Sequence, residues 1–266
     1  MDIKKINSQT LKKHLPIIVL ILLTCFFRLY KLESIPFGLN HDAAWEGSAA
    51  LDILRGNLAP YFPYAPEGWR GEGLFRLFVA FFAIFLGPNP LIIRLPSVIW
   101  GILTILPLYF LIKILFDTRI AFVTSFLVAT SGWHITMSKT GWRAIGLPLF
   151  SLSAFYFFFR GIKSRRLIDF IASGGILGLL LYTYEPARMT VPFFLVWIIL
   201  MTLKKRNFLK RNKKNLLFLF SAFGLTALPM TLYALSNWSS FTGRANFLFV
   251  GHQITRAGNL NPLWDN

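Results

Sequence analysis

Cysteine is the scarcest chemistry-bearing residue in this sequence, and histidine and acidic residues are also few. Among 266 residues there is one cysteine, Cys25, so the chain can have neither an internal disulfide framework nor a cysteine-based metal site. The sequence also lacks a P-loop, a GxGxxG segment after a strand, a CxxC pair and an HExxH motif. These absences exclude the nucleotide-binding, redox and zinc-protease classes that such motifs identify.

Apolar residues are abundant instead. The chain is 55% hydrophobic, contains 28 phenylalanines and has a mean hydropathy of +0.56. Soluble domains do not have this composition. Several apolar runs approach the roughly 20 residues that a membrane-spanning helix needs. The composition therefore predicts an all-α polytopic membrane protein, with membrane lipids as its surroundings.

The basic residues are placed as in a membrane protein. Lysine and arginine number 28 against 11 acids, which gives a net charge of +17. These cations lie in short loops between apolar runs, as the positive-inside rule describes. Their placement argues against binding to nucleic acid and predicts a cytoplasmic N-terminus, because four lysines precede the first apolar run.

The same charges predict seven spans. The stretch Leu74–Leu86 is too short to span, so residues 32–94 form one outer loop with two short surface helices. This arrangement puts 17 basic residues and three acids on the cytoplasmic side, and 11 basic residues and eight acids outside. The predicted spans are 15–30, 95–116, 120–137, 144–159, 170–184, 189–203 and 216–235. We expect one module over 1–266 in the plasma membrane, with an outer tail at 236–266 and further chain beyond it.

The first outer loop begins with an acidic cluster, His41-Asp-Ala-Ala-Trp-Glu-Gly47. A short helix is predicted from Asp42 to Arg55, with Asn40 as its cap and Gly56 as its stop. Asp42 and Glu46 then share one helix face. They could act as a general base, could bind a divalent cation together with His41, or could form a solvated first turn. The sequence leaves the metal open and indicates no other cofactor.

Several cations fall on the same outer side. Guanidinium groups bind phosphate in a bidentate manner, and cations stabilise the charge that develops on a departing phosphate. Each of these residues could also be an ordinary anchor at the membrane interface. The predicted phosphate-binding residues are Arg70, Lys139, Arg143 and Arg188.

Most of the chain resembles the membrane-embedded glycosyltransferases of the C superfamily. The resemblance is to the family-39-like group, which includes protein O-mannosyltransferases and the aminoarabinose transferases of lipid A. It rests on HDAAWEGSAALDILRGN, LIIRLPSVIWGILTILPLYFLIKILF, SGWHITMSKTGWRAIGLPLF and GLLLYTYEPAR. It implies transfer of a sugar, with inversion, from a polyprenyl-phosphate donor to an acceptor hydroxyl on the outer face.

The resemblance also implies site residues. The catalytic acid of the family falls on Asp42, and its basic residue after the third span falls on Lys139 or Arg143. Relatives often have a second acid directly after the first, where this chain has Ala43. This departure keeps open the hypothesis of a non-catalytic, degenerate relative. A polytopic transporter or flippase is the other alternative, although the predicted spans are nearly free of charge.

Overall fold

The computed structural model describes residues 3–58, 61–63, 70–239, 241 and 242, of which 3–14, 62, 63 and 70 are described by their backbone alone. Helices dominate this part of the chain. They are α1 (Ile3–Leu29), α2 (His41–Leu54), α3 (Leu74–Leu86), α4 (Leu91–Leu103), α5 (Ile105–Leu115), α6 (Thr118–Thr130), α7 (Gly132–Lys139), α8 (Gly146–Ser164), α9 (Leu167–Leu180), α10 (Thr190–Lys204) and α11 (Phe208–Ser236). Two short 3-10 helices, Arg143–Ile145 and Glu185–Met189, precede α8 and α10.

One small sheet interrupts the predicted all-α fold. Strands β1 (Tyr61–Pro63) and β2 (Arg70–Glu72) pair antiparallel, with Tyr61 opposite Glu72. The sequence predicted an irregular loop here, because the segment is rich in proline and aromatic residues. The hairpin brings Tyr61 and Glu72 to the start of α3.

The predicted count of seven spans is not confirmed. Among the described residues, four helical stretches are long and apolar enough to cross a membrane: Leu91–Leu115, Arg143–Ser164, Glu185–Lys204 and Phe208–Ser236. A fifth is counted if α6 and α7, which meet at a 55° bend, form one broken span. The segments predicted as spans at 15–30 and 170–184 contain shorter apolar helices, Leu15–Leu29 and Leu167–Leu180.

The two short helices of the first outer loop form close to their predicted positions. Helix α2 begins where the Asn40 side chain accepts a 2.7 Å hydrogen bond from the Ala43 amide, as expected of an N-cap. The helix ends before Gly56, whose φ of +96° is readily adopted only by glycine. Helix α3 has the predicted bounds of the short apolar stretch. It packs against both α2 and α4.

Helices α9 and α11 approach closely because α9 has glycine at the contact. A Cβ atom added to Gly174 would lie 2.8 Å from the carbonyl carbon of Leu219 and closer still to its oxygen. Beyond Gly174, the Tyr182 hydroxyl donates to the Thr226 carbonyl at 2.9 Å and accepts from the Met230 amide at 3.0 Å. Tyr182 thus bridges the backbone of α11 beside Pro229, and α9 and α11 form one packed unit.

Gly174→Ala is expected to destabilise the protein by about 1–3 kcal/mol, the usual cost of overpacking. The clash is with backbone, which cannot rotate away. Gly175→Ala is the matched control, because its Cβ would meet nothing closer than the Thr226 methyl at 4.0 Å. Thermal unfolding of the detergent-purified protein measures both. Equal melting temperatures for the two variants would show that α9 and α11 do not pack as described.

Candidate active site

The turns predicted to lie on the outer side meet in a buried cluster of charges. Helix α2 contributes Glu46, β2 contributes Glu72 and α3 contributes Arg76. The two 3-10 helices contribute Arg143 and Arg188. We call these five residues the charge network. Its members come from segments up to 142 positions apart in the chain, from Glu46 to Arg188, so only the tertiary fold brings them together.

Glu46 is the centre of the network. Its side chain is 2% exposed, and one carboxylate oxygen accepts a 2.7 Å hydrogen bond from Arg76 Nε. The other oxygen is paired with Arg143 Nη1. Arg76 also donates to the Gly71 carbonyl at 3.2 Å. Glu46 therefore fixes α2 against α3 and the 3-10 helix at Arg143, a positioning role rather than that of an accessible base.

Glu72 is held more loosely than Glu46. Its carboxylate lies 3.4 Å from Arg143 Nε and 3.4 Å from Arg188 Nη2, and it accepts a 3.1 Å hydrogen bond from the Tyr61 hydroxyl. Charge-assisted hydrogen bonds are normally about 2.7–2.9 Å long. The contacts of Glu72 with its two arginines are therefore weaker than the contact between Glu46 and Arg76.

Arg188 has the most exposed side chain in the network, at 19%. Its guanidinium carbon lies 3.8 Å from the ring centre of Phe241 and 5.4 Å from that of Tyr61. Nη1 donates to the Phe241 carbonyl at 2.9 Å and lies 3.7 Å from Glu185. Aromatic contact covers the face of the guanidinium, and its edge is directed to the Phe241 carbonyl and to the carboxylates of Glu72 and Glu185.

The two buried acids differ in their pKa. Burial alone would raise the pKa of Glu46, but the charges and hydrogen bonds of Arg143 and Arg76 outweigh burial and hold it below its ordinary value. Burial raises the pKa of Glu72, because its partners are more distant and Glu46 adds a like charge. Glu46 is thus a stable anion, whereas Glu72 is the network member most easily neutralised.

Asp42 lies one helical turn before Glu46 and outside the network. Its side chain is 47% exposed, and that of His41 is 79% exposed. Trp45 Nε1 donates to His41 Nε2 at 2.9 Å, so a neutral His41 carries its proton on Nδ1, which faces Asp42 at 4.0 Å. The first two turns of the helix thus present the carboxylate of Asp42 to solvent and use that of Glu46 as an anchor.

Ala43 has a structural reason to be apolar. It is completely buried, in the cluster that includes Phe75, Val79 and Ile93. A second acid here would enter this cluster rather than the space around Asp42. The departure from the acid pair of the relatives therefore removes no accessible carboxylate in this structure.

Ala43→Asp is expected to destabilise the protein by about 1–3 kcal/mol, because a buried carboxyl group would protonate and remain without a hydrogen-bond partner. Ala44→Asp places the same group on the exposed side of α2 and should change stability by less than about 0.5 kcal/mol. Thermal unfolding of both variants is the measurement. A stable Ala43→Asp protein would contradict the burial of this face.

Lys139, which the sequence predicted to bind phosphate, contacts a backbone carbonyl in the structure. The residue is buried, and its ammonium group donates to the Tyr30 carbonyl at 2.8 Å, so it does not join the charge network. Nearby Arg94 donates to the carbonyls of Leu32, Glu33 and Pro36, at 2.6, 3.0 and 2.7 Å, and also to that of Gly38. These two cations hold the segment that leads to Asp42, because buried carbonyl groups need donors.

Two other predictions concern the side chain of Arg70 and a possible metal site. Arg70 belongs to β2, but its side chain lies outside the described residues. Within the part of the chain that the structure describes, no group of three or more His, Cys, Asp or Glu residues is placed to hold a metal ion. His41 and Asp42 face solvent while Glu46 faces its two arginines, so the three predicted ligands do not converge.

Sequence reasoning assigned no role to three residues that organise the site: Tyr61, Glu72 and Arg76. Arg76 had a usable signal, because a single arginine inside an otherwise apolar helix needs a buried partner. Tyr61 and Glu72 had none, since their pairing depends on the unpredicted hairpin.

Comparison with known proteins identifies the family. The sequence profile of the dolichyl-phosphate-mannose-protein mannosyltransferase family matches residues 74–233, more than half of the chain. The chain belongs to this family. It is a membrane glycosyltransferase of the C superfamily, as its motifs predicted. The matched range includes Arg76, Arg94, Arg143 and Arg188 but begins after Asp42.

A solved structure shows the same fold. The crystal structure of the Archaeoglobus fulgidus oligosaccharyltransferase in the apo form superimposes with a TM-score of 0.64 at 18% identity. The match covers 81% of this chain and 29% of that enzyme. A sequence search of curated proteins finds no match. Membership of a glycosyltransferase family argues against the transporter hypothesis.

Proposed function

We propose that the protein transfers a sugar from a polyprenyl-phosphate donor to an acceptor hydroxyl, with Asp42 as general base. The observation that carries the proposal is the arrangement on α2. Asp42 is an accessible acid in the first turn of the helix, 47% exposed, and Glu46 anchors that helix one turn later in the charge network. Family membership supports a lipid-linked donor.

The proposed reaction is a single displacement. Asp42 removes the proton from the acceptor hydroxyl as its oxygen attacks the anomeric carbon, and the bond from that carbon to the phosphate oxygen breaks. The polyprenyl phosphate leaves with the bonding electrons and gains negative charge. Cations near that oxygen lower the barrier, because they stabilise the charge as it develops.

Arg188 and Arg143 are the proposed phosphate partners. Both contact Glu72 at 3.4 Å, longer than an optimal charge-assisted bond. An incoming phosphate can therefore compete with Glu72 for them, and the raised pKa of Glu72 makes its neutralisation easier. Arg76 is a weaker candidate, since its side chain is fully buried, whereas those of Arg143 and Arg188 are 7% and 19% exposed.

An apolar groove beside the network is suited to the lipid chain of the donor. It has a volume of about 500 Å³ and runs between the start of α3, the end of α9 and the middle of α11. The groove begins at Gly73, next to Glu72. Its lining is almost entirely apolar: Leu58, Gly73, Leu74, Leu77, Leu179, Tyr182, Leu225, Thr226 and Pro229. A phosphate at Arg188 would place the attached chain near this groove.

Leu77→Trp is expected to raise the KM for a long-chain donor about tenfold, because the indole would fill the groove. A donor with two isoprene units should be affected less. Leu86→Trp is the matched control: Leu86 is as exposed as Leu77, at 45% against 44%, but lies outside the groove. Equal KM values for the two variants would remove the groove from donor binding.

The donor class is tested with the full-length protein in lipid nanodiscs. Polyprenyl-phosphate donors carrying several hexoses and pentoses are compared with nucleotide donors of the same sugars. A membrane extract supplies the acceptor hydroxyl, and the readout is release of polyprenyl phosphate or nucleotide, so the acceptor need not be identified beforehand. We expect turnover of at least one lipid-linked donor. Turnover of nucleotide donors alone would overturn the proposal.

A further inference from the structure

We propose that a basic cavity at the opposite end of the helices binds the phosphate headgroup of an anionic membrane lipid. The cavity has a volume of about 370 Å³ and lies where α8, the turn before α11 and the start of α11 meet. Helix α8 separates it from the charge network: its 19 residues extend about 28 Å from the 3-10 helix at Arg143. The lining residues are Ile162, Arg165, Lys205, Arg206, Asn207, Phe208, Arg211 and Asn212.

The cavity has four cations and no acid in its lining. Two acids occur in the neighbouring turns, and both have other partners. Asp169 accepts from Arg160 Nε and from Ser164 Oγ, each at 2.9 Å. Asp117 caps α6 through the amides of residues 119 and 120, at 2.7 and 2.9 Å. The four cations repel one another, and an anion between them would relieve that repulsion.

The backbone adds to the attraction for an anion. Helix α11 begins at Phe208, and its N-cap residue Asn207 makes no side-chain capping bond. The first-turn amides and the positive end of the helix dipole therefore favour an anion beside them. Arg211 lies on this first turn, while Arg165 comes from the turn after α8. Cations from two separate turns thus meet at one helix start.

The position favours a lipid over a soluble phosphate. The cavity lies at the ends of three helices that can cross a membrane, Arg143–Ser164, Glu185–Lys204 and Phe208–Ser236. Leu203 and Leu209, next to it in the chain, are 77% and 48% exposed, as expected at an apolar membrane boundary. Basic pockets between membrane helices are typical sites for anionic headgroups. Phe208 and Ile162 provide an apolar wall for the adjoining glycerol.

The test measures binding of phosphatidylglycerol to the full-length protein in phosphatidylcholine nanodiscs or mixed micelles. The cavity variant is the triple substitution Arg165→Ala, Arg206→Ala and Arg211→Ala. The matched control, Lys210→Ala with Lys213→Ala and Lys214→Ala, removes the same charge from exposed positions of α11 outside the cavity. We expect the cavity variant to bind phosphatidylglycerol at least tenfold more weakly, and the control to change less than threefold.

Three outcomes would overturn the proposal. Equal losses in both triple variants would indicate diffuse attraction to basic loops, and no loss in either would indicate no site. Displacement of the lipid by inorganic phosphate at equal concentration would assign the cavity to a soluble anion. Unfolding temperatures measured in pure phosphatidylcholine distinguish a loss of lipid binding from misfolding. If the triple variant does not fold, the single variant Arg206→Ala replaces it, and we expect this variant to bind phosphatidylglycerol about threefold more weakly.

Discussion

Glu46→Ala is expected to lower the free energy of unfolding by about 3–5 kcal/mol, the usual cost of removing one partner from a buried ion pair. The substitution would leave Arg76, which is fully buried, and Arg143, which is 7% exposed, without the carboxylate between them. Two cations would then repel each other in a site closed to water. The loss should appear as a lower unfolding temperature and as loosening of α2.

Asp52→Ala is the matched control for this prediction. Asp52 lies on the same helix and is also paired with an arginine, Arg55, at 3.1 Å, but the two side chains are 45% and 76% exposed. Such surface pairs contribute about 0–1 kcal/mol. Thermal or denaturant unfolding should therefore separate the two variants clearly. Equal stabilities would mean that Glu46 is not the centre of a buried network.

The elements that could be predicted from the sequence are those with strong local signals. Helix α2 had Asn40 at its start and Gly56 after its end, and α3 was a short apolar run between glycines. Charge counting predicted that residues 143 and 188 lie on the same side of the membrane as Glu46, and the structure brings both arginines to the same network as Glu46. Local patterns and loop charges were sufficient for these features.

The span count could not be predicted in the same way. The run 120–137 looks continuous, yet α6 ends at Thr130 and α7 begins at Gly132 with a 55° bend. Ser131 caps α7 with its side chain, in competition with a continuous helix. The mean hydropathy of a sequence window averages over such a break and therefore does not reveal it. The segment at 170–184 shows the opposite limit: its helix α9 is only 14 residues long, because apolar composition does not fix the length of a helix.

Roles within the site depended on tertiary contacts. Asp42 and Glu46 look equivalent in sequence, being four residues apart on one helix. The structure separates them, because Glu46 faces Arg76 and Arg143 while Asp42 faces solvent. Lys139 was predicted to bind phosphate from its position in the chain, but it supports the Tyr30 carbonyl instead. No sequence spacing distinguishes a cation that binds substrate from one that holds backbone.

Asp42→Asn is expected to reduce the rate of sugar transfer by about 10²–10⁴-fold, the usual contribution of a general base. Asparagine has nearly the same shape but cannot accept the proton of the acceptor hydroxyl. Because Asp42 is half-exposed and outside the charge network, stability should change by less than about 0.5 kcal/mol. Binding of the donor should also persist, since the proposed phosphate partners are arginines on other elements.

The most direct test is the initial rate of sugar transfer by Asp42→Asn and by wild type, with donor affinity and unfolding temperature measured on the same preparations. Asp52→Asn is the control for loss of an acid from α2. The proposed mechanism predicts a rate at least a hundredfold lower for Asp42→Asn, with unchanged donor affinity and stability, and a wild-type rate for Asp52→Asn. A wild-type rate for Asp42→Asn would contradict the central claim that this carboxylate is the catalytic base.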